Sequence, residues 1–178
     1  GRGGAWTITG PFGTGKSAFA LFLSELLHAS DASARKRAAS ALASSEAGAT
    51  RSEEWAGSAT PRYLPALCAG AREPLAVGLV RSLATAVLGS RHKLPTKIAS
   101  RLGRAERAAA KGSSLQSHEL ISLVEDVAAS IASCRSRAEG LLIVIDELGK
   151  SLEYAAAEPE MSDIFLLQQP AEMASRSG

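Results

Sequence analysis

Asparagine is missing from all 178 residues, aromatic side chains make up only 4%, and cysteine occurs twice, at Cys68 and Cys134. Each scarcity excludes something. Two isolated cysteines with no CxxC and no Cys/His cluster set up neither a disulfide framework nor a zinc site, so a reducing, cytoplasmic setting is expected. With so few aromatics, the core has to be assembled from Leu, Ile, Val and Ala. No apolar run approaches the roughly 20 residues needed to cross a bilayer. The opening Gly1-Arg2-Gly3-Gly4 is not a signal peptide, and no membrane partner is expected. A formal net charge of +2 and a pI near 8.7 are too mild to demand a polyanionic partner unless the charges cluster. The chain begins without Met and stops at Ser175-Arg176-Ser177-Gly178 directly after a helical pattern, so it reads as a piece of a longer protein.

What is present suits one α/β domain spanning residues 1–178. Ala5-Trp6-Thr7-Ile8-Thr9 predicts a short strand. It leads through a Gly-rich turn into a helical pattern marked by Phe19, Phe22, Leu23, Leu26 and Leu27. From Ser30 to Thr60 the composition predicts a surface stretch, with a helix around Ala34–Ser45 and a loop through Gly48, Gly57 and Pro61. Tyr63–Ala69 predicts a second strand, at an edge because of Pro65. A helix over Pro74–Leu88 follows from Leu75, Leu79, Leu83 and Val87, and Gly89–Pro95 breaks it. Thr96–Lys111 predicts another helix. After Gly112-Ser113-Ser114 comes a helix capped by Ser117 and facing inward with Leu120, Ile121, Val124, Ala128 and Ile131, ended by Gly140. Leu141-Leu142-Ile143-Val144-Ile145 is an uninterrupted apolar run, which predicts a strand covered on both faces in a parallel sheet. The remainder predicts two helical pieces divided near Pro159, with Pro170 kinking or breaking the second.

Two motifs carry chemistry. Gly10-Pro11-Phe12-Gly13-Thr14-Gly15-Lys16-Ser17 matches G-x-x-x-x-G-K-[ST] at every fixed position, between an expected strand and an expected helix. Glycines let successive backbone N–H groups turn toward phosphate oxygens, and the following helix contributes its positive end. Lys16 is expected at the β- and γ-phosphates and the Ser17 hydroxyl on Mg²⁺. Such a pattern arises by chance in on the order of 1% of chains this long. Asp146 and Glu147 close the apolar run, so both carboxylates should emerge at the end of the strand where ligands bind in open α/β sheets. Asp146 is expected to hold the metal, and Glu147 to serve as general base toward water. The alternative for this pair is an acidic helix start.

With these motifs the chain resembles P-loop ATPases of the branch that sets a catalytic glutamate beside the magnesium aspartate, which includes AAA+, STAND and RecA-like ATPases. The stretches Trp6–Ser17 and Ile145–Ala155 resemble large AAA+-like prokaryotic ATPases, some of them from phage-defence systems. That resemblance covers about a sixth of the chain. It implies a three-layer P-loop core with a parallel sheet, and ATP with Mg²⁺ as ligands. It further implies hydrolysis that drives conformational change in a larger multidomain or oligomeric protein. It also implies a strand after the Asp146-Glu147 pair with a polar sensor residue, and a lid, both expected beyond Gly178. The missing Asn rules out the guanine-reading N-K-x-D motif, favouring adenine. A nucleotide-gated switch without turnover and a P-loop phosphotransferase remain as alternatives.

Other charged positions have two readings each. Lys97, Arg101, Arg104, Arg107 and Lys111 recur every three or four residues as a basic stripe, either a nucleic-acid contact or a solvated helix face diluted by Glu106. Arg72 and Glu73 follow the second strand as nucleotide sensors or plain turn residues. Lys150 and Glu153 form either a coupling element or a helical i, i+3 pair. His28, His92 and His118 stand isolated.

Overall fold

Two seven-residue apolar runs become the sheet. In the computed structural model, Tyr63–Ala69 (β1) and Gly140–Asp146 (β2) pair in parallel, with Tyr63 opposite Gly140 and Ala69 opposite Asp146. The structure describes residues 4–28, 31–44, 62–90, 92–113, 115–133, 138–158 and 164–176. The expected loop through Gly48, Gly57 and Pro61, and the expectations for Cys134, Ser114 and Pro159, lie outside them. The element order is α1 (Lys16–Leu26), α2 (Ala32–Ala43), β1, α3 (Leu75–Gly89), α4 (Thr96–Ala109), α5 (Ser117–Ser133), β2, α6 (Leu148–Ala157), a 3-10 turn (Ile164–Leu167) and α7 (Gln168–Arg176). The fold is mixed α/β, mostly helical, with two parallel strands among the described residues. Among these residues no helix is long and apolar enough to cross a membrane.

Parallel neighbours require a crossover, and here three helices supply it. α3 lies on β1 and buries Ala76, Val77, Leu79, Val80, Leu83 and Ala84. The approach is close because Gly78 has no side chain: a Cβ there would stand 2.9 Å from Cys68 Sγ. Burial raises the pKa of the Cys68 thiol, and the nearby Glu73 carboxylate adds to the rise. α5 contributes Leu120, Leu123, Val124, Val127 and Ile131 to the same core, each buried aliphatic side chain of this size stabilising by about 1.5–3 kcal/mol. α4 adds Leu102, Ala105 and Ala109. α1 and α2 form a smaller satellite around Leu26, Ala38 and Ala39. α2 is capped by Asp31, whose carboxylate accepts from Ala34 N–H at 2.8 Å, a bond that lowers its pKa. The hydroxyls of buried Ser24, Ser82 and Ser151 each donate to a carbonyl, those of Leu21, Leu79 and Ala71, which meets the cost of burial.

Several sequence expectations are corrected. Ala5–Thr9 is not a strand: residues 4–11 have no regular structure and are exposed throughout, because no neighbouring strand offers them a ladder. β2 is not covered on both faces. Leu141, Ile143 and Ile145 pack on the main core, but no β2 residue is fully buried, and Leu67 on the opposite face of β1 is 44% exposed. Ser117 is the first helical residue rather than the cap. The Gln116 carbonyl accepts from Leu120 N–H, and Glu119 Oε2 reaches back to Gln116 N–H at 3.3 Å, half of a capping box. Gly140 opens β2 instead of ending α5, which stops at Ser133. Pro170 does not break α7. It sits in the first turn of α7, where its missing N–H has no intrahelical partner to lose.

The contact between Gly78 and Cys68 makes a direct prediction. Gly78→Ala should destabilise the protein by about 1–3 kcal/mol through overpacking, measured by urea unfolding. Cys68→Ala in the same chain should recover most of that loss; equal losses with and without Cys68 would place the strain elsewhere.

Candidate functional site

The loop before α1 has the backbone that its glycines permit. Gly13 and Gly15 have φ of 80° and 82°, left-handed values that a side chain disfavours, and α1 begins at Lys16. Gly15 caps the helix without a side-chain bond, and no acidic residue stands in the first turn. The first N–H groups of α1 are therefore left without intrahelical acceptors at the positive end of the helix, an arrangement suited to an anion. A carboxylate there would have competed with it.

Lys16 folds back over this loop. Its Nζ donates to the carbonyls of Gly10 at 2.9 Å and Pro11 at 2.7 Å and lies 3.5 Å from Thr14 Oγ1, which itself donates to Pro11 O at 2.9 Å. The ammonium is thus held at the loop by neutral carbonyls, which a phosphate oxygen can replace with a charge-assisted bond. Ser17 is exposed, and its hydroxyl makes no hydrogen bond among the described residues. Phe12 projects fully into solvent.

The two carboxylates stand at the end of β2. Asp146 Oδ1 accepts from Glu147 N–H at 2.9 Å, and the Asp146 carbonyl accepts from Gly70 N–H at 2.8 Å, which extends the β1–β2 ladder past both strands. Glu147 has φ 52° and ψ 40°, the only positive φ outside glycine among the described residues. A non-glycine residue there costs about 1–2 kcal/mol, and such strain gathers at functional positions. The turn is pinned from the side by Gly70, where a Cβ would fall 2.2 Å from the Glu147 carbonyl oxygen and 2.8 Å from that of Asp146. The Glu147 carboxylate is engaged by Lys150, whose Nζ donates to Oε2 at 2.5 Å. Both side chains are about half exposed, so this pair positions the carboxylate more than it stabilises the fold.

The neighbouring charges sort differently from their sequence spacing. Lys150 pairs with Glu147, not Glu153; Glu153 instead reaches Arg72 at 3.4 Å across 81 positions of sequence. Glu73 takes Arg81 through two 3.0 Å bonds, which fixes it as a structural residue. Ser151 Oγ donates to Ala71 O at 3.4 Å. The β1–α3 turn is thereby tied to α6 beside Asp146. His28 belongs to the α1–α2 junction, with Nδ1 accepting from Asp31 N–H.

Two observations relate the loop to the carboxylates. α1 contacts β2, and the Leu27 carbonyl just past its end accepts from Tyr63 N–H at the start of β1. The end of α1 therefore meets the edge of the sheet where the strands begin, while Asp146 lies at the edge where they end. Among the described residues, no hydrogen bond or ion pair joins residues 10–17 to Asp146 or Glu147. Sequence reasoning missed Lys150 as the partner of Glu147, and it missed Gly70. The second had a signal: a glycine directly after a strand often marks a close backbone approach. Comparison with protein-family models, curated proteins and solved structures gave no match.

Glu147→Gly should raise stability by about 1 kcal/mol by relieving the left-handed backbone, read as a higher denaturation midpoint. An unchanged or lower midpoint would show that the Lys150 pair outweighs the strain. Gly70→Ala should lower stability, because the Glu147 carbonyl must move.

Proposed function

We propose that this chain binds ATP with Mg²⁺ and belongs to an ATPase of the P-loop, catalytic-glutamate type, of AAA+-like character, whose hydrolysis drives conformational change in a larger assembly. The observation that carries this reading is the Gly10–Ser17 loop: two left-handed glycines lead into a helix whose first turn has neither a side-chain cap nor an acidic residue, with a lysine folded over it. The surrounding core is read as a three-layer P-loop fold with a parallel sheet. The parallel pairing of β1 with β2 through a helical crossover supports that.

In this mechanism Lys16 exchanges the Gly10 and Pro11 carbonyls for phosphate oxygens, and the N–H groups from Gly13 to Ser17 bind the same anion. The Ser17 hydroxyl and the Asp146 carboxylate are the groups that would hold Mg²⁺. Magnesium, when bound, neutralises charge building on the phosphoryl oxygens. Glu147 leaves Lys150 to accept a proton from the attacking water, and Lys150 then carries a free ammonium beside the reacting groups. Catalysis rests mainly on positioning and charge stabilisation. Adenine is the proposed base because the guanine-reading motif requires an Asn that the chain lacks.

Calorimetric titration with Mg²⁺-ATP should show binding that Lys16→Ala weakens at least about tenfold, the worth of one charge-assisted contact of 1.5–3 kcal/mol. Glu147→Gln should keep binding and lower hydrolysis by about 10²–10⁴-fold. Unaltered ATP affinity in Lys16→Ala would sink the nucleotide reading. Normal turnover in Glu147→Gln would sink the general-base role, and γ-phosphate appearing on an acceptor other than water would make the protein a phosphotransferase.

A further inference from the structure

The basic stripe on α4 is sharper in three dimensions than in the sequence. α4 seats its apolar side on the core through Leu102, Ala105 and Ala109, with Ile98 packed against them. At about 100° per residue, Lys97, Arg104 and Arg107 fall within one arc of roughly 80° on the outer side, and Lys111 follows in the turn after the helix. Glu106, which on sequence spacing dilutes the stripe, stands about 100° outside that arc. Lys111 stands just past the end of α4, in the closing turn where its own N–H and that of Ser113 donate to Ala108 O and Gly112 N–H donates to Ala109 O, each at 3.0 Å.

Among the described residues, the cations of this face have no ion-pair partner. Lys97, Arg104, Arg107 and Lys111 are exposed, and their side chains make no ion pair or hydrogen bond among the described residues. Arg101, at the flank of the arc, is the exception, pairing with Asp126 and Ser122 of α5. Glu119 on the same flank of α5 is turned to Gln116 N–H.

At the C-terminal end Arg107 is favoured by the helix dipole, but the other cations are not placed for the helix's benefit. Lys97 occupies the first turn, where the helix dipole disfavours a cation and where no acidic residue offsets it. Arg104 and Arg107 are like charges at a spacing that destabilises an isolated helix. Three such cations spread over about 15 Å of helix, with Lys111 in the turn beyond, offer repeated contacts to an array of phosphates. No aromatic side chain occurs between His92 and Ser113, so the face has no platform on which to stack unpaired bases.

We infer that the outer face of α4 binds the phosphate backbone of duplex DNA without sequence preference. Its occupancy does not depend on the nucleotide reading.

The test is fluorescence anisotropy of the full chain with a labelled mixed-sequence DNA duplex across a range of NaCl. Four phosphate contacts give a slope of log K against log salt near −3.6, or about 150-fold weaker binding at 200 mM than at 50 mM. The Arg104→Ala, Arg107→Ala double variant should halve that slope, leaving about 12-fold over the same interval. Ser100→Arg, an exposed position inside the arc, should steepen the slope by about 0.9. Scrambling the duplex sequence should change nothing. No binding at 50 mM salt overturns the proposal, as does a slope indifferent to both variants. Tighter binding to single strands than to duplex, or displacement by polyglutamate at equal charge, would also overturn it, in favour of another polyanion. Because all the substituted side chains are exposed, thermal melts should be unchanged, and a lowered melt accounting for lost binding would count against the surface.

Discussion

The parallel ladder between β1 and β2 is the constraint on which the rest depends. Its register sets Ala69 opposite Asp146 and lets one further bond form, from Gly70 N–H to the Asp146 carbonyl. That bond brings the β1–α3 turn against the turn that follows β2, close enough that only glycine fits at position 70. A one-residue slip would reverse the faces of every side chain on β2, taking Leu141, Ile143 and Ile145 off the main core. The register is therefore held by burial along the strand, and the positions of Asp146 and Glu147 follow from it. Arg72 with Glu153, and Ser151 with Ala71, repeat the same connection with polar groups.

Much of this was legible because the signals were local. Tyr63–Ala69 is a strand with the boundaries its composition predicts, and α3 and α4 lie within two residues of their periodic patterns, while α5 begins where expected and ends at Ser133. What escaped prediction depends on partners distant in sequence. A strand exists only with a neighbour, so Ala5–Thr9, β-prone by composition, stays irregular where no ladder reaches it. The apolar run of β2 correctly indicates a strand, but the number of faces covered depends on what packs there. Pro170 was misread for a positional reason: the same ring that breaks a helix interior is accommodated in a first turn, and helix starts are poorly fixed by periodicity.

The candidate site divides along the same line. The loop from Gly10 to Ser17 is legible because glycine, lysine and hydroxyl at fixed spacing are one local unit, and its left-handed glycines fall at Gly13 and Gly15. Asp146 and Glu147 are legible as strand-end carboxylates. Their treatment by the fold is not: nothing in Asp-Glu-Leu-Gly-Lys states that Glu147 adopts a left-handed backbone, or that Lys150 turns back to it. On spacing alone Lys150 suits Glu153 equally well, being three residues from each carboxylate. The choice is made by Arg72, which arrives from 81 positions away and engages Glu153.

The engaged states of Lys16 and Glu147 have a common logic. Each is a charged group that the proposed chemistry needs, and each is held by a contact that can be exchanged: carbonyl oxygens for the ammonium, an exposed lysine for the carboxylate. Neither contact is buried, so neither imposes the several-kcal/mol penalty of separating a desolvated ion pair. Strain is placed instead in the backbone of Glu147, which Gly70 and the β1–β2 ladder enforce from outside the side chain's own contacts. Releasing Lys150 therefore leaves the Glu147 backbone where it was. A carboxylate whose main chain is fixed and whose side-chain partner is replaceable can change its partner without repacking the core, which is the property a general base at a strand end requires.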